Sequence, residues 1–340
     1  MWLSRWNAML ASLFLAAVLA IPAAGTNSAP YSVSPGTLNY VEGQASLGNG
    51  NLNAKSVGSV SLQPGETLLT QKGKAELLLT PGVFFRLGDN SSASMVSNSL
   101  TDTSLVLNRG EALVEVDQIY PQNNIRICQD AAITRLQKTG LYDFEASGQV
   151  RVFDGQALVQ YADHSVKVKG GHELTLNVDG KLKPNRFDKN AVQQSDDLYR
   201  WSSLRSDYLA EANVAAARVY VSNRGYGPGW FGAGWYRSPW FGAYTFVPAD
   251  GYLFSPFGWP YWSPLWVYRA PYRSGYFVHS PARFGRVPFY SREFHSQPSR
   301  SVSPRTGVRQ EESFVHVPGG FQGRGWGGFH SGGNHGFGRR

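Results

Sequence analysis

The residues best suited to chemistry are few and scattered along the chain. His164 and His172 stand beside Asp163 and Glu173. Imidazole and carboxylate both ligate metals, but a zinc-type site needs at least three converging protein donors. Placed in adjacent predicted strands, this pair reads as solvated side chains. His330 and His335 have no third ligand near them. Gly227-Pro228-Gly229-Trp230-Phe231-Gly232 spells the G-x-G-x-x-G of dinucleotide sites. That motif works only after a strand and at the start of a helix; here it follows a predicted helix and runs into prolines and aromatics. No nucleophile elbow, zinc spacing or Walker-type loop is present. Cys128 ends the apolar run Ile125-Arg126-Ile127-Cys128, which suggests a buried structural thiol. The expectation is therefore no catalytic residue, no metal and no cofactor. What remains is aromatic: Trp230, Trp235, Trp240, Trp259, Trp262 and Trp266, interleaved with glycine and proline. Such rings could stack on sugars, pack on the rest of the chain, or mediate self-association and surface attachment.

The elements that must position these rings differ along the chain. Of 340 residues, 42% are apolar, 14% aromatic and only 16% charged, which excludes a coiled coil and a highly charged disordered chain. The net charge of +8 is uneven. Residues 218–340 carry 14 Arg, no Lys and four acids, a sum of +10, while the remainder sums to −2. Arginine among aromatics favours stacking and forked hydrogen bonds. At the N-terminus, Arg5 precedes the apolar run Ala8–Ile21 and the small residues Pro22-Ala23-Ala24-Gly25. This is the layout of a cleaved export signal over residues 1–25, too short to span a bilayer. The chain is expected outside the cytoplasm, with no membrane span after cleavage. Export also argues against nucleic acid as the partner of the basic tail.

From Gly36 to Leu182 the apolar residues alternate with period two between frequent turns. Pro81-Gly82 separates Lys74–Leu79 from Val83–Leu87. Asp154-Gly155 separates Val150–Phe153 from Gln156–Tyr161, and Asp179-Gly180 closes another pair. Asp-Gly between two such runs predicts hairpins. Leu77, Leu79, Phe85, Leu87, Val114, Val116, Val152 and Val159 share one parity and form the predicted core; Leu78 and Phe84 have the opposite parity and point to a second layer. The fold class is all-β, an antiparallel roll or solenoid-like sandwich, followed by one long helix and an irregular Gly/aromatic-rich tail.

Several runs resemble the FecR domain. They are Pro64-Gly65-Glu66-Thr67-Leu68-Leu69-Thr70, Gly82-Val83-Phe84-Phe85-Arg86-Leu87, Gly110-Glu111-Ala112-Leu113-Val114-Glu115-Val116 and Val152-Phe153-Asp154-Gly155-Gln156-Ala157-Leu158-Val159. The resemblance covers about residues 36–180 and implies an extracytoplasmic β module that touches another protein. It supplies no catalytic residues. Founding members of that family carry a cytoplasmic anti-sigma segment; with few residues before the apolar run, none is expected here.

Ser195 is the expected cap of a helix over 196–221, with Asp196 and Asp197 in its first turn and Leu198, Trp201, Tyr208 and Leu209 facing a partner surface. The layout is then a signal at 1–25, a β domain at 36–185, a helix at 195–222, a Gly/Pro/aromatic region at 223–279 and a disordered Arg/Gly/Ser-rich tail at 280–340. The functional expectation is an exported non-enzymatic module, bound to an envelope protein or an anionic envelope polymer and linked to signalling. The other reading is a polysaccharide-binding module that uses the tail aromatics.

Overall fold

The computed structural model describes residues 33–176, 182–222, 233–238 and 240–270. The chain divides after Arg286 into a unit holding all of these and a second unit, Val287–Arg340, outside them. The predicted export signal, the Asp179-Gly180 turn, the G-x-G-x-x-G run and the tail at 280–340 also lie outside the described residues.

The strands, in chain order, are β1 (Thr37–Leu47), β2 (Gly50–Asn51), β3 (Thr67–Leu78), β4 (Val83–Leu87), β5 (Ser92–Ser99), β6 (Asp102–Arg109), β7 (Glu111–Val116), β8 (Ile125–Gln129), β9 (Ala132–Leu136) and β10 (Gly140–Glu145). They continue with β11 (Gln149–Asp154), β12 (Gln156–Tyr161), β13 (His164–Lys169), β14 (His172–Thr175) and β15 (Asn185–Arg186). Helices α1 (Lys189–Ser195) and α2 (Asp197–Ser222) follow, then the short strands β16 (Gly234–Arg237), β17 (Tyr244–Val247), β18 (Tyr252–Phe254) and β19 (Pro260–Trp262).

The first fifteen strands form one sheet, in the order β13-β12-β9-β8-β6-β5-β3-β4-β7-β10-β11-β14-β15, with β1 on β3 and β2 on β1. The sheet does not close. It has two walls. Strand β3 joins them, because Thr67–Leu69 pair with β5 while Ala75–Leu78 pair with β4. Between these segments the β1–β3 ribbon shifts register beside the Gly43–Gly73 pair. A Cβ on Gly43 would sit 2.1 Å from the Lys72 carbonyl oxygen, and one on Gly73 2.3 Å from that of Glu42. Only glycine lets the two backbones approach this closely at the bend.

The inner faces of both walls meet in one apolar cluster. It contains all eight residues of the predicted core parity, Leu77, Leu79, Phe85, Leu87, Val114, Val116, Val152 and Val159. Pro81-Gly82 makes the expected hairpin turn, since Leu78 pairs with Phe84 across it. Asp154-Gly155 does not. Strand β11 pairs with β10 and β14, whereas β12 pairs with β9 and β13. The chain turns a corner at Gly155 (φ +94) and passes from one wall to the other. A Cβ there would meet the Tyr142 hydroxyl at 2.4 Å. Gly110 (φ +76), between β6 and β7, is a second such corner. Glycine frees the backbone equally for a hairpin or a corner, and the pairing partners decide which forms.

The helix prediction is one residue off at its start. Ser195 ends α1, and the Asp196 carboxylate caps α2 by accepting from the Tyr199 amide at 2.9 Å. Asp188 caps α1 in the same way, accepting from Asn190 and Ala191. Helix α2 lies on the outer face of the second wall, where Leu198 and Leu209 are buried. Trp201 is half-buried, and Tyr208 is 39% exposed. Among the described residues no helix is long and apolar enough to cross a membrane.

Candidate functional site

The outer face of the second wall carries charges that its alternating strands would ordinarily turn to water. Glu76 (β3), Arg86 (β4) and Glu115 (β7) are fully buried. Arg86 donates from Nε to Glu76 at 2.8 Å and from Nη1 to Glu115 at 2.5 Å. From above, Arg205 of α2 donates to the other oxygen of Glu76 at 2.9 Å, and the Ser206 hydroxyl donates to Glu115 at 2.6 Å. Burial alone would raise the Glu76 carboxyl; the Arg205 and Arg86 guanidinium groups more than offset it and hold the pKa at about 2. Burial works against the Arg86 charge, but the two glutamates raise its pKa further above its ordinary value. Removing one partner of such an arrangement strands the others in a low-dielectric site.

A second ionic group lies along β10, β11 and β14. Arg151 pairs with Asp143 at 2.6 Å and also faces Glu145 and Glu173. One cation against several acids leaves surplus negative charge. Burial, reinforced by Asp196 and Glu145, pushes the Asp143 carboxyl up to about 7 despite Arg151. Burial and the charge of Asp196 likewise push Glu111 up to about 7. At the start of α2, Lys74 bridges Asp89 and Asp197, at 2.8 Å each.

The aromatic segment seals this layer. Two asparagine side chains dock it by imitating a neighbouring strand. Asn39, at a bulge of β1, donates to the Tyr244 carbonyl at 3.0 Å and accepts from the Tyr244 amide at 2.7 Å. Asn213 of α2 accepts from the Trp262 amide at 2.7 Å and donates to the Trp262 and Phe246 carbonyls. Leu78 and Phe84, the two residues of opposite parity, form a second core with Leu209, Trp235, Phe246 and Tyr261. The Trp235 ring packs edge-on against Phe84 at 5.0 Å, and its indole N–H donates to the Leu79 carbonyl.

The predicted aromatic surface is thereby divided. Trp235 is only 6% exposed and belongs to the second core, because Phe84 offers it an apolar partner from the sheet; this corrects its assignment to a binding face. Trp259 packs half-buried against the same core. Trp240 is 78% exposed. Trp262 and Trp266 flank Tyr252 on the β18–β19 hairpin: Tyr252 stacks on Trp262 at 4.9 Å and lies 6.3 Å from Trp266. The Trp266 indole donates to Asp250 at 3.0 Å, and the Arg269 guanidinium lies 4.3 Å over its ring. Tyr252, Phe254, Leu265 and Tyr268 are exposed around this cluster. Trp230 lies outside the described residues.

The other sequence candidates stay apart. His164 is exposed on β13, and His172 lies on β14, which pairs with β11 and β15 but not with β13. Among the described residues no three His, Cys, Asp or Glu side chains converge on a metal position. Cys128 is half-buried, with its sulfur 3.9 Å from the Ser104 hydroxyl. The residues that sequence reasoning missed are Asn39 and Asn213, and the charged group around Arg86. The signal for Asn213 was available, since it lies one helical turn from Leu209 on the buried face of α2.

No family model matches the chain. No curated protein matches it either. Among solved structures it is similar to two crystal structures named "putative anti-sigma factor" from Parabacteroides distasonis. The first has 13% identity and a TM-score of 0.32, covering 37% of this chain and 61% of that one. The second has 13% identity and a TM-score of 0.33, covering 38% and 63%. The chain thus spans less than two thirds of the length of either.

Proposed function

We propose that this chain is an exported, non-enzymatic FecR-like module whose work is to hold an aromatic contact face against an envelope partner. The observation that carries the reading is the β18–β19 hairpin. Tyr252 and Phe254 stay exposed on it and Tyr268 in the turn that follows, while Asn213 and the buried Tyr261 fix the hairpin to the body from below. Exposed aromatic rings on a fixed support are the groups that dominate recognition surfaces. The export layout of residues 1–25 supports a place outside the cytoplasm, and the FecR-like runs support contact with another envelope protein, including one that passes a signal.

The stacked Tyr252–Trp262 pair beside Asp250 and Arg269 favours a second reading, a polysaccharide ligand held by ring stacking and planar polar groups. One experiment separates the two. The intact protein is titrated against a panel of purified envelope polysaccharides and cross-linked in isolated envelopes, with Tyr252→Ser and Tyr268→Ser as variants. A discrete protein cross-link lost in both variants, at unchanged melting temperature, supports the first reading. Polysaccharide binding lost in the same variants supports the second. Binding that is unaffected by both substitutions contradicts the hairpin as the contact face.

A further inference from the structure

The buried layer beneath α2 does not balance in charge as its side chains stand. Its cations are Arg86 and Arg205, and its carboxyls are Glu76, Glu115 and Asp117. Asp117 follows β7, is 4% exposed, and lies within hydrogen-bonding reach of Glu115. Neither oxygen of Asp117 receives a hydrogen bond from any donor among the described residues. Besides Glu115, the groups that act on it are Arg86 from β4 and Tyr261 from β19, whose buried hydroxyl makes no hydrogen bond among the described residues; Arg205 and Ser206 of α2 contact its neighbours, Glu76 and Glu115. Arg86 is engaged by Glu76 and Glu115 through Nε and Nη1, and its Nη2 makes no hydrogen bond to Asp117 or any other described residue. A third bare carboxylate there would be an unpaired buried charge next to a like one, which is among the least tolerable arrangements in a protein interior. Two carboxyls that touch without a donor between them are satisfied by a proton, which turns their contact into an O–H···O bond.

We infer that Asp117 keeps a buried proton and donates it to Glu115, and that this proton lets α2 and the aromatic hairpins seat on the sheet. The layer then holds two positive and two negative charges. Loss of the proton leaves a net negative charge beneath the helix, so the cover is held more tightly on the acid side. The direction of the Asp117 shift agrees: burial, then the Glu115 charge, raises it well above the ordinary carboxyl range.

The sign follows from linkage. The folded state keeps a proton that the unfolded state releases above about pH 4, so stability is complete below that pH and falls as pH rises toward the folded pKa. A single proton changes the unfolding constant by about tenfold per pH unit. Other acids, including Asp143 and Glu111, titrate in part of the same range, so the test is a difference between chains. Urea unfolding of the intact protein is measured at pH 5, 6 and 7 for wild type, Asp117→Asn and Glu115→Gln. Asparagine imitates the protonated carboxyl, so the unfolding constant of Asp117→Asn should rise about tenfold less per pH unit than that of wild type. Glu115→Gln should show the same reduced slope, with Asp117 then ionised and facing Arg86. Parallel curves for wild type and Asp117→Asn overturn the inference. So does an Asp117→Asn chain that fails to fold, since it carries the neutral side chain that the inference requires.

Discussion

Val83-Phe84-Phe85-Arg86-Leu87 in β4 and Ala132-Ile133-Thr134-Arg135-Leu136 in β9 are built to one pattern, with arginine fourth and leucine fifth. Their fates are opposite. In β9 burial alternates, so Arg135 and Ile133 face solvent. In β4 every residue is buried, and Arg86 is held by two glutamates under a helix. The difference lies in what covers each wall. The outer face of the first wall is open at β9, while α2 and the aromatic hairpins cover the second. An outward charge is a solubilising group on one wall and a structural group on the other.

Five substitutions sharpen this contrast. The largest effect belongs to the shared inner face: Leu79→Asp should abolish the cooperative melt by circular dichroism, because an unpaired charge would enter the common core. Next comes the arginine pair. Arg86→Met should cost about 3–5 kcal/mol in urea unfolding, because it strands Glu76 and Glu115. Arg135→Met should stay within about 0.5 kcal/mol. Equal costs at the two sites would remove the distinction between the walls.

Asn213→Ala should cost about 1–3 kcal/mol, since it leaves buried main-chain groups of Phe246 and Trp262 without their partner. The loss should appear as faster proteolysis between 240 and 270 before the strands are cut. The smallest effect is a slope. Asp143 is held up to about 7 in the folded chain, so its contribution is complete below about pH 4 and is lost as pH rises through 7. Asp143→Asn should flatten the decline of stability over that interval, while leaving Arg151 its contacts with Glu145 and Glu173. An unchanged slope would place the surplus acid charge elsewhere.

Much of the sheet was legible in the sequence because one inner face imposes period two on its strands. The parity of Leu77, Phe85 and Val114 follows from that alone, and the off-parity Leu78 and Phe84 announced the second layer. The Gly155 corner was not legible, because Asp-Gly permits a reversal without naming the strands that pair. Arg86 and Glu76 were not legible either. A charge in an alternating strand reads as solvent-facing, and only the residues that close over it from α2, more than a hundred positions later, bury it. Trp235 was misplaced for the same reason: its partner Phe84 is distant in sequence.

The central claim is that α2 and the aromatic hairpins are part of the folded body rather than appendages on a β domain. Hydrogen exchange of the intact protein tests it directly. The amides of Leu209 and Phe246 should show protection close to that of Phe85 and Val114 and should open with them in one cooperative event. Rapid exchange of α2 and β17 over a fully protected sheet would contradict the account.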